Sequence, residues 1–485
     1  MGLKFEATIQ TPAFRVVPLS LVFILITSGM ALGQWSTNPA VNNPICAAAG
    51  AQSAPSIISD GSGGSIITWF DRRSGVDDIY AQRIDANGVA LWTTNGVAIC
   101  TATGNQQYPN IVSDGSGGAI ITWEDQRNGN YDVYSQRISA AGTVQWATDG
   151  VIICTATGGQ YSPTITSDGS AGAIITWYDQ RIGSTDIYAQ RISGGGTVQW
   201  TSDGVILCGA ANGQSLPKII TDDSGGAIIT WEDQRNGLDI DIYAQRVNAS
   251  GLAQWLTDGV PISTALSSQQ FQGFEAVGNI IADGLGGAII TWFDNRDFAT
   301  NGSTQDVYAQ RVNASGVIQW TIDGAAICTA PNNQEFPTAT SDGSGGAIIT
   351  WRDIRNGSNF DIYGQRISAA GAVQWTSNGV AICTAANTQF YPFGVPDGSG
   401  GAVIMWQDFR NGSNHDVYAQ RISGGGTVQW TSDGVILCGA ANGQSLPKII
   451  TDGSGGAILT WEDQDRKSTR LNSSHGGISR MPSSA

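Results

Sequence analysis

Imidazole chemistry is nearly absent from this chain. Its 485 residues include two histidines, His415 and His475, too few for a His-based triad, a His metal site or a proton relay. Carboxylates, guanidinium groups and tyrosines remain, and most recur in register. "D-x-R" appears as Asp125 with Arg127 and "D-[IV]-Y-x-Q-R" as Asp132 with Arg137, and both return in every complete repeat, for example as Asp233, Arg235, Asp241 and Arg246. Opposite charges that return at fixed spacing predict internal ion pairs that fix strand order, not a reacting set. Loops such as "DQRNGNYD" carry Asp and Asn oxygens suited to Ca2+ but lack the D-x-[DN]-x-[DN]-G spacing, so no cofactor is expected and calcium stays an alternative. A catalytic set would break the repeat at several converging points. The main charged residues that break it are Arg72, Glu275, Glu335 and Arg352, and "SDGSGGAIITW" differs from the sialidase S-x-D-x-G-x-x-W box.

The elements that would position these groups come from one internal repeat. A first tryptophan series, Trp69, Trp123, Trp177, Trp231, Trp292, Trp351, Trp406 and Trp461, advances by 54 to 61 residues, and a second from Trp35 to Trp430 interleaves with it to account for all 16. Such registration marks Trp as a packing element of each unit. Within one unit, "PNIVSD" reads as a strand, "GSGG" as a tight turn and "AIITWED" as a β-branched return strand. "DVYSQRIS" reads as a third strand, and a fourth starts at "TVQW" and runs on through "GVIICTA". Four antiparallel strands per ~54 residues, apolar on both faces, predict an all-β fold: a β-propeller of seven to eight four-stranded blades, the last truncated, with a β-solenoid as the alternative. The seven cysteines all end the "V-x-I-C" segment, equivalent places on adjacent blades too far apart for disulfides, so buried free thiols are expected.

Composition narrows the partners. The net charge is -16 with lysine at only four positions, so no basic stripe exists to bind nucleic acid. Lys4 and Arg15, the apolar run from Val16 to Ile26 and the small residues to Gly33 read as a secretory signal over residues 1–33, too short to span a membrane, and no membrane insertion is expected. The propeller is assigned to 34–464. The tail, 465–485, with "DRKSTRLNSSH", reads as a translated sequencing-library adapter without ordered structure. If the ends of the repeat region join, "WSTNPAVNNPICAAAG" becomes the last strand of an eighth blade.

The paired units "DGSGGAIITW-x-D-x-R" and "DIYAQR" across 35–464 resemble secreted bacterial tandem-repeat proteins of unassigned function. The resemblance implies a β-propeller outside the cell and carries over no functional residue.

Function is therefore sought where repeats vary. The residue before the proline of "Q-x-x-P" changes through Ala54, Tyr108, Ser162, Leu216, Phe336, Tyr391 and Leu446, and the fifth unit adds Phe271, Phe274 and Phe298 in longer loops on that face. Tyr108, Phe271, Phe274, Phe298, Phe336 and Tyr391 are the candidate ligand surface. The expectation is a secreted, non-catalytic propeller that binds a protein or glycan there. Two alternatives stand: a glycan-active enzyme, which requires symmetry-breaking carboxylates around the central channel, and a calcium-stiffened adhesin.

Overall fold

In "AIITW" the apolar side chains point to both faces, so such a strand is stable only in a sheet covered on both sides. The computed structural model describes residues 35, 38–271, 278–297 and 305–464, and the backbone of His475–Met481. It contains eight antiparallel sheets, built from consecutive strands except that the last takes its fourth strand from the amino end of the chain. In blade 2 the strands are Gln106–Ser113, Ala119–Asp125, Asp132–Ile138 and Val151–Cys154. The innermost strand of each blade packs against those of its neighbours, and the strand starting at Gln444 packs on the one starting at Gln52. The sheets thus form a closed eight-bladed β-propeller.

Two details differ from the sequence reading. "TVQW" makes a single bridge, Ile138 to Val144, and the fourth strand begins only at Val151, because the second Trp turns away to the next blade: Trp146 Nε1 donates to the Gly194 carbonyl at 3.1 Å. The eighth blade is complete. It comprises Gln444–Thr451, Ala457–Asp463, His475–Met481 and the amino-terminal Asn43–Pro44. The expectation that 465–485 is without structure is corrected for its backbone at 475–481. The second strand leaves a row of unpaired amides and carbonyls, and a tethered segment satisfies them whatever its side chains.

The repeated charges hold the blades together. Asp125 is fully buried; it accepts from Trp123 Nε1 at 2.8 Å and from Arg127 at 2.6 Å. The Arg127 guanidinium lies 3.9 Å from the Tyr134 ring centroid and donates to the Asp149 carbonyl at 2.8 Å and to Cys100 Sγ at 3.1 Å. All seven cysteines are buried and unbridged, and burial raises the Cys100 pKa to about 12. Asp132 and Arg137 do not pair, which corrects the expected ion pair. Five residues apart on one strand, they face opposite ways at about 16 Å. Arg137 instead grips Asp114 of the first hairpin at 2.8 Å and the Gly194 carbonyl of the next blade at 2.8 Å. Asp132 accepts from the side-chain amides of Asn128 and Asn130 in the loop weighed for calcium.

Candidate functional site

The first strand of each blade lines the axis, and its "Q-x-x-P" segment shapes one end of it. The pairing register slips there, between Gln107 and Asn110 in blade 2, and Tyr108 adopts a left-handed φ of 51°. The same conformation recurs at Ala54, Ser162, Leu216, Phe336, Tyr391 and Leu446. It is disfavoured for residues with a Cβ and held only where surroundings dictate it, a pattern concentrated at functional rims. One such surrounding is a carboxylate from the preceding blade. Glu124 accepts the Ser162 amide at 2.7 Å and Glu462 the Ala54 amide at 2.5 Å, the latter spanning the ring closure; Glu232 makes the equivalent bond, at 2.6 Å, to the amide of Phe271, which is not left-handed.

Inside this rim lies a cavity of about 340 Å³ lined by residues from all eight blades. Lys218 and Lys448 reach into it, alongside Asn110, Thr164 and Thr338. Lys218 is 6% exposed; burial lowers its pKa to about 8, opposed by the nearby Glu232 charge and assisted by that of Lys448. Behind the wall, burial raises Glu124 and Glu232 to about 7 each, the amide bonds to Ser162 and Phe271 pulling the other way. Of these groups Lys218 lines the cavity itself, and an amine that titrates near neutrality is one that general acid–base chemistry uses; Glu124 and Glu232 lie outside the lining.

The candidate aromatic residues separate. Phe336 and Tyr391 meet edge to face at 4.9 Å, with Arg352 4.1 Å from the Phe336 centroid and 4.2 Å from that of Phe360, and Arg352 also pairs with Glu335. Tyr108, 43% exposed, stands apart against Phe70 at 6.0 Å and joins the cavity lining. Phe271 is 2% exposed and belongs to the core of the fourth and fifth blades, so its assignment to the binding surface is corrected: after the carboxylate of Glu232 captures its amide, the ring turns inward. Phe274 and Phe298 lie outside the described residues, as does Glu275. A third aromatic group, Tyr131, Tyr161 and Tyr178, with centroids 5.2 and 5.4 Å apart, escaped the sequence reading. So did the two lysines and Glu124 and Glu232. The available signal was the residue after the invariant Trp, which runs Phe70, Glu124, Tyr178, Glu232, Phe293, Arg352, Gln407 and Glu462 inside a constant frame. Among the described residues, no group of three or more His, Cys, Asp or Glu side chains is arranged to hold a metal, and no helix is long and apolar enough to cross a membrane.

No family model and no curated protein matches the chain. Solved structures do match it. Polysaccharide lyase Uly1 is 10% identical over 91% of this chain and 91% of its own, with a TM-score of 0.45. An ulvan lyase described as a new family of polysaccharide lyase is 11% identical over 79% and 96%, with a TM-score of 0.46. An α-L-arabinanase of Penicillium chrysogenum is 14% identical over 78% and 93%, with a TM-score of 0.36. These likenesses transfer no residue correspondence. The expectation of a non-catalytic binding propeller is nevertheless corrected. It counted few charged residues that break the repeat and left out Lys218 and Lys448, which line the axial cavity from opposite blades, and Glu232, whose charge acts on Lys218.

Proposed function

We propose that this propeller is a glycan-active enzyme working at its axial cavity. The observation that carries the reading is Lys218, an amine held in the cavity wall with its pKa lowered to about 8. At pH 7 about a tenth of such an amine is neutral, against well under a thousandth for a solvated lysine, so Lys218 can take a proton during bond cleavage. Glu232 tunes that value from behind, and Lys448 supplies a second cation to the same space. The rim supports a sugar ligand in particular. Tyr108 in the cavity lining and the Phe336 and Tyr391 pair on the same rim segments of other blades offer half-exposed ring faces and edges, the surfaces on which pyranose C–H faces stack. The apolar run Val16 to Ile26 supports export to where polymeric glycans are met. The test is incubation of the purified chain with a panel of neutral and acidic polysaccharides, reading new chain ends. Cleavage that disappears in Lys218→Met while the thermal melt is retained supports the proposal; a panel with no cleavage, or cleavage indifferent to Lys218, rejects it.

A further inference from the structure

We infer that one linear polysaccharide chain lies across the rim of the axial cavity, held by two aromatic groups on opposite sides of the propeller. The inference rests on the glycan reading above for the nature of the ligand, and on the placement of the rings for its path. Four rim positions vary from blade to blade inside a constant frame: the residue before the third-strand Asp, the second and third residues of "Q-x-x-P", and the residue after the first-series Trp. They meet at one end of the sheet, since Tyr161 pairs in register with Tyr178 and the Gln160 amide donates to the Tyr131 carbonyl at 2.8 Å. Between blades two and three, Tyr131, Tyr161 and Tyr178 form one series with centroids 5.2 and 5.4 Å apart, and Phe70 with Tyr108 extends it by a blade. Between blades six and seven, Phe360 and Phe390 take the places of Tyr131 and Tyr161, and Phe336 and Tyr391 join them. The rings at these positions in blade five, Phe271 and Phe293, are buried. In a closed ring of eight the two boundaries are four blades apart in either direction, so the two groups face each other across the axis.

Both groups are fixed before a ligand arrives. Arg352, paired with Glu335, stacks on both Phe336 and Phe360, and the tyrosines brace one another. Their rings are half-buried, with part of each surface left open to solvent, and the tyrosines add hydroxyls that can bond sugar oxygens. The cavity sets the path between them. At about 340 Å³ it falls at the small end of ligand pockets and holds about one sugar residue, so a longer chain passes over it and not through it. Tyr161 and Phe390 stand outside the lining, where they can hold the chain on either side. A pocket alone would accept chain ends, whereas platforms on two opposite sides present an internal linkage to Lys218.

The test is calorimetric titration of the full-length chain with size-graded oligosaccharides of xylan, cellulose, pectate and alginate, and with a tryptic peptide pool as a separate arm. Affinity is expected to rise with length in at least one sugar series, and the longest oligomers to bind one per protein chain. Tyr161→Ser and Phe390→Ser break the two groups separately within a tolerated pattern, because Ser53, Ser215 and Ser445 stand at that place in other blades. Tyr131→Thr and Phe360→Thr, which copy Thr185, repeat the comparison at the neighbouring position should a serine variant fail to fold. Each substitution should weaken the long oligomers about tenfold, the scale of one lost stacking contact, because a single chain engages both groups. No binding in any sugar series, two long oligomers per protein, a loss confined to one of the two groups, or peptides bound in place of sugars overturns the inference. The two readings fail separately: length-dependent binding that both substitutions weaken, without cleavage, keeps this inference and ends the catalytic one, and cleavage that trims single sugars from chain ends with no gain from length does the reverse.

Discussion

Replacing Glu232 by Gln should stabilise the protein at alkaline pH and scarcely alter it in acid. Glu232 is 6% exposed, and burial moves its pKa from an ordinary 4.5 to about 7. A carboxyl raised in the fold favours folding while protonated and disfavours it once ionised, so the penalty grows as pH climbs from about 4.5 to 7 and is complete above that. At 1.36 kcal/mol per pH unit, the difference of about 2.5 amounts to about 3 kcal/mol at pH 8.5 and below about 1 kcal/mol at pH 5. Gln keeps an oxygen for the Phe271 amide, now 2.6 Å from Glu232, so the capping bond survives. The neighbouring Lys218 charge already holds the Glu232 pKa down, so the loss of that attraction is contained in this figure. Glu124→Gln is the parallel case without a lysine: Glu124 accepts the Ser162 amide and is also raised to about 7, so its gain should also be about 3 kcal/mol. Urea unfolding of the three proteins at pH 5 and 8.5 reads these values. Equal effects at both pH values, or destabilisation at 8.5, would refute the assignment of these carboxyls to a desolvated shell.

Three further outcomes follow from the blade lattice. Arg137→Ala should cost about 2–3 kcal/mol in urea unfolding, less than the 3–5 of a fully buried pair, because Arg137 is 20% exposed at its side chain and Asp114 keeps the Ser116 and Gly118 amides; a loss below 0.5 kcal/mol would show the clamp to be idle. Ile182→Asn should stabilise by about 1 kcal/mol at pH 8, since Ile182 is 64% exposed and Asp186 has neither oxygen bonded, whereas Asn128, Asn236, Asn356 and Asn411 at that place each donate to their Asp. The gain should shrink below pH 6, near the raised pKa of Asp186, and a pH-independent change would count against the explanation. The seven thiols should resist alkylation at pH 7.5 and all react in urea; labelling of the folded chain would contradict their burial.

The architecture was legible because every blade repeats it. Trp123 and Asp125 carry the same neighbours as Trp231 and Asp233, so periodicity alone identified the sheet unit and its packing residues. Contacts between repeats were not legible. Arg137 was assigned to Asp132 because they are near in sequence, whereas its partners, Asp114 and Gly194, lie across a hairpin and across a blade boundary. The site suffered from the same blindness. Aromatic residues in loops suggested a surface, yet Phe271 folds into the core, while Lys218 and Lys448 seemed unremarkable in a chain with four lysines until ring closure set them face to face. Distance around a ring is invisible to local pattern, and so is the desolvation that shifts Glu124, Glu232 and Lys218.

The most direct measurement of the central claim is kcat/KM for glycan cleavage as a function of pH in the wild-type chain and in Lys218→Met. The account predicts a wild-type rate that rises with pH to a plateau above about 8, where Lys218 is neutral, and a loss of about a hundredfold or more in the variant, the usual contribution of a positioned base. A variant that cleaves at the wild-type rate with the same profile, or a wild-type chain that cleaves no glycan at any pH, would contradict it.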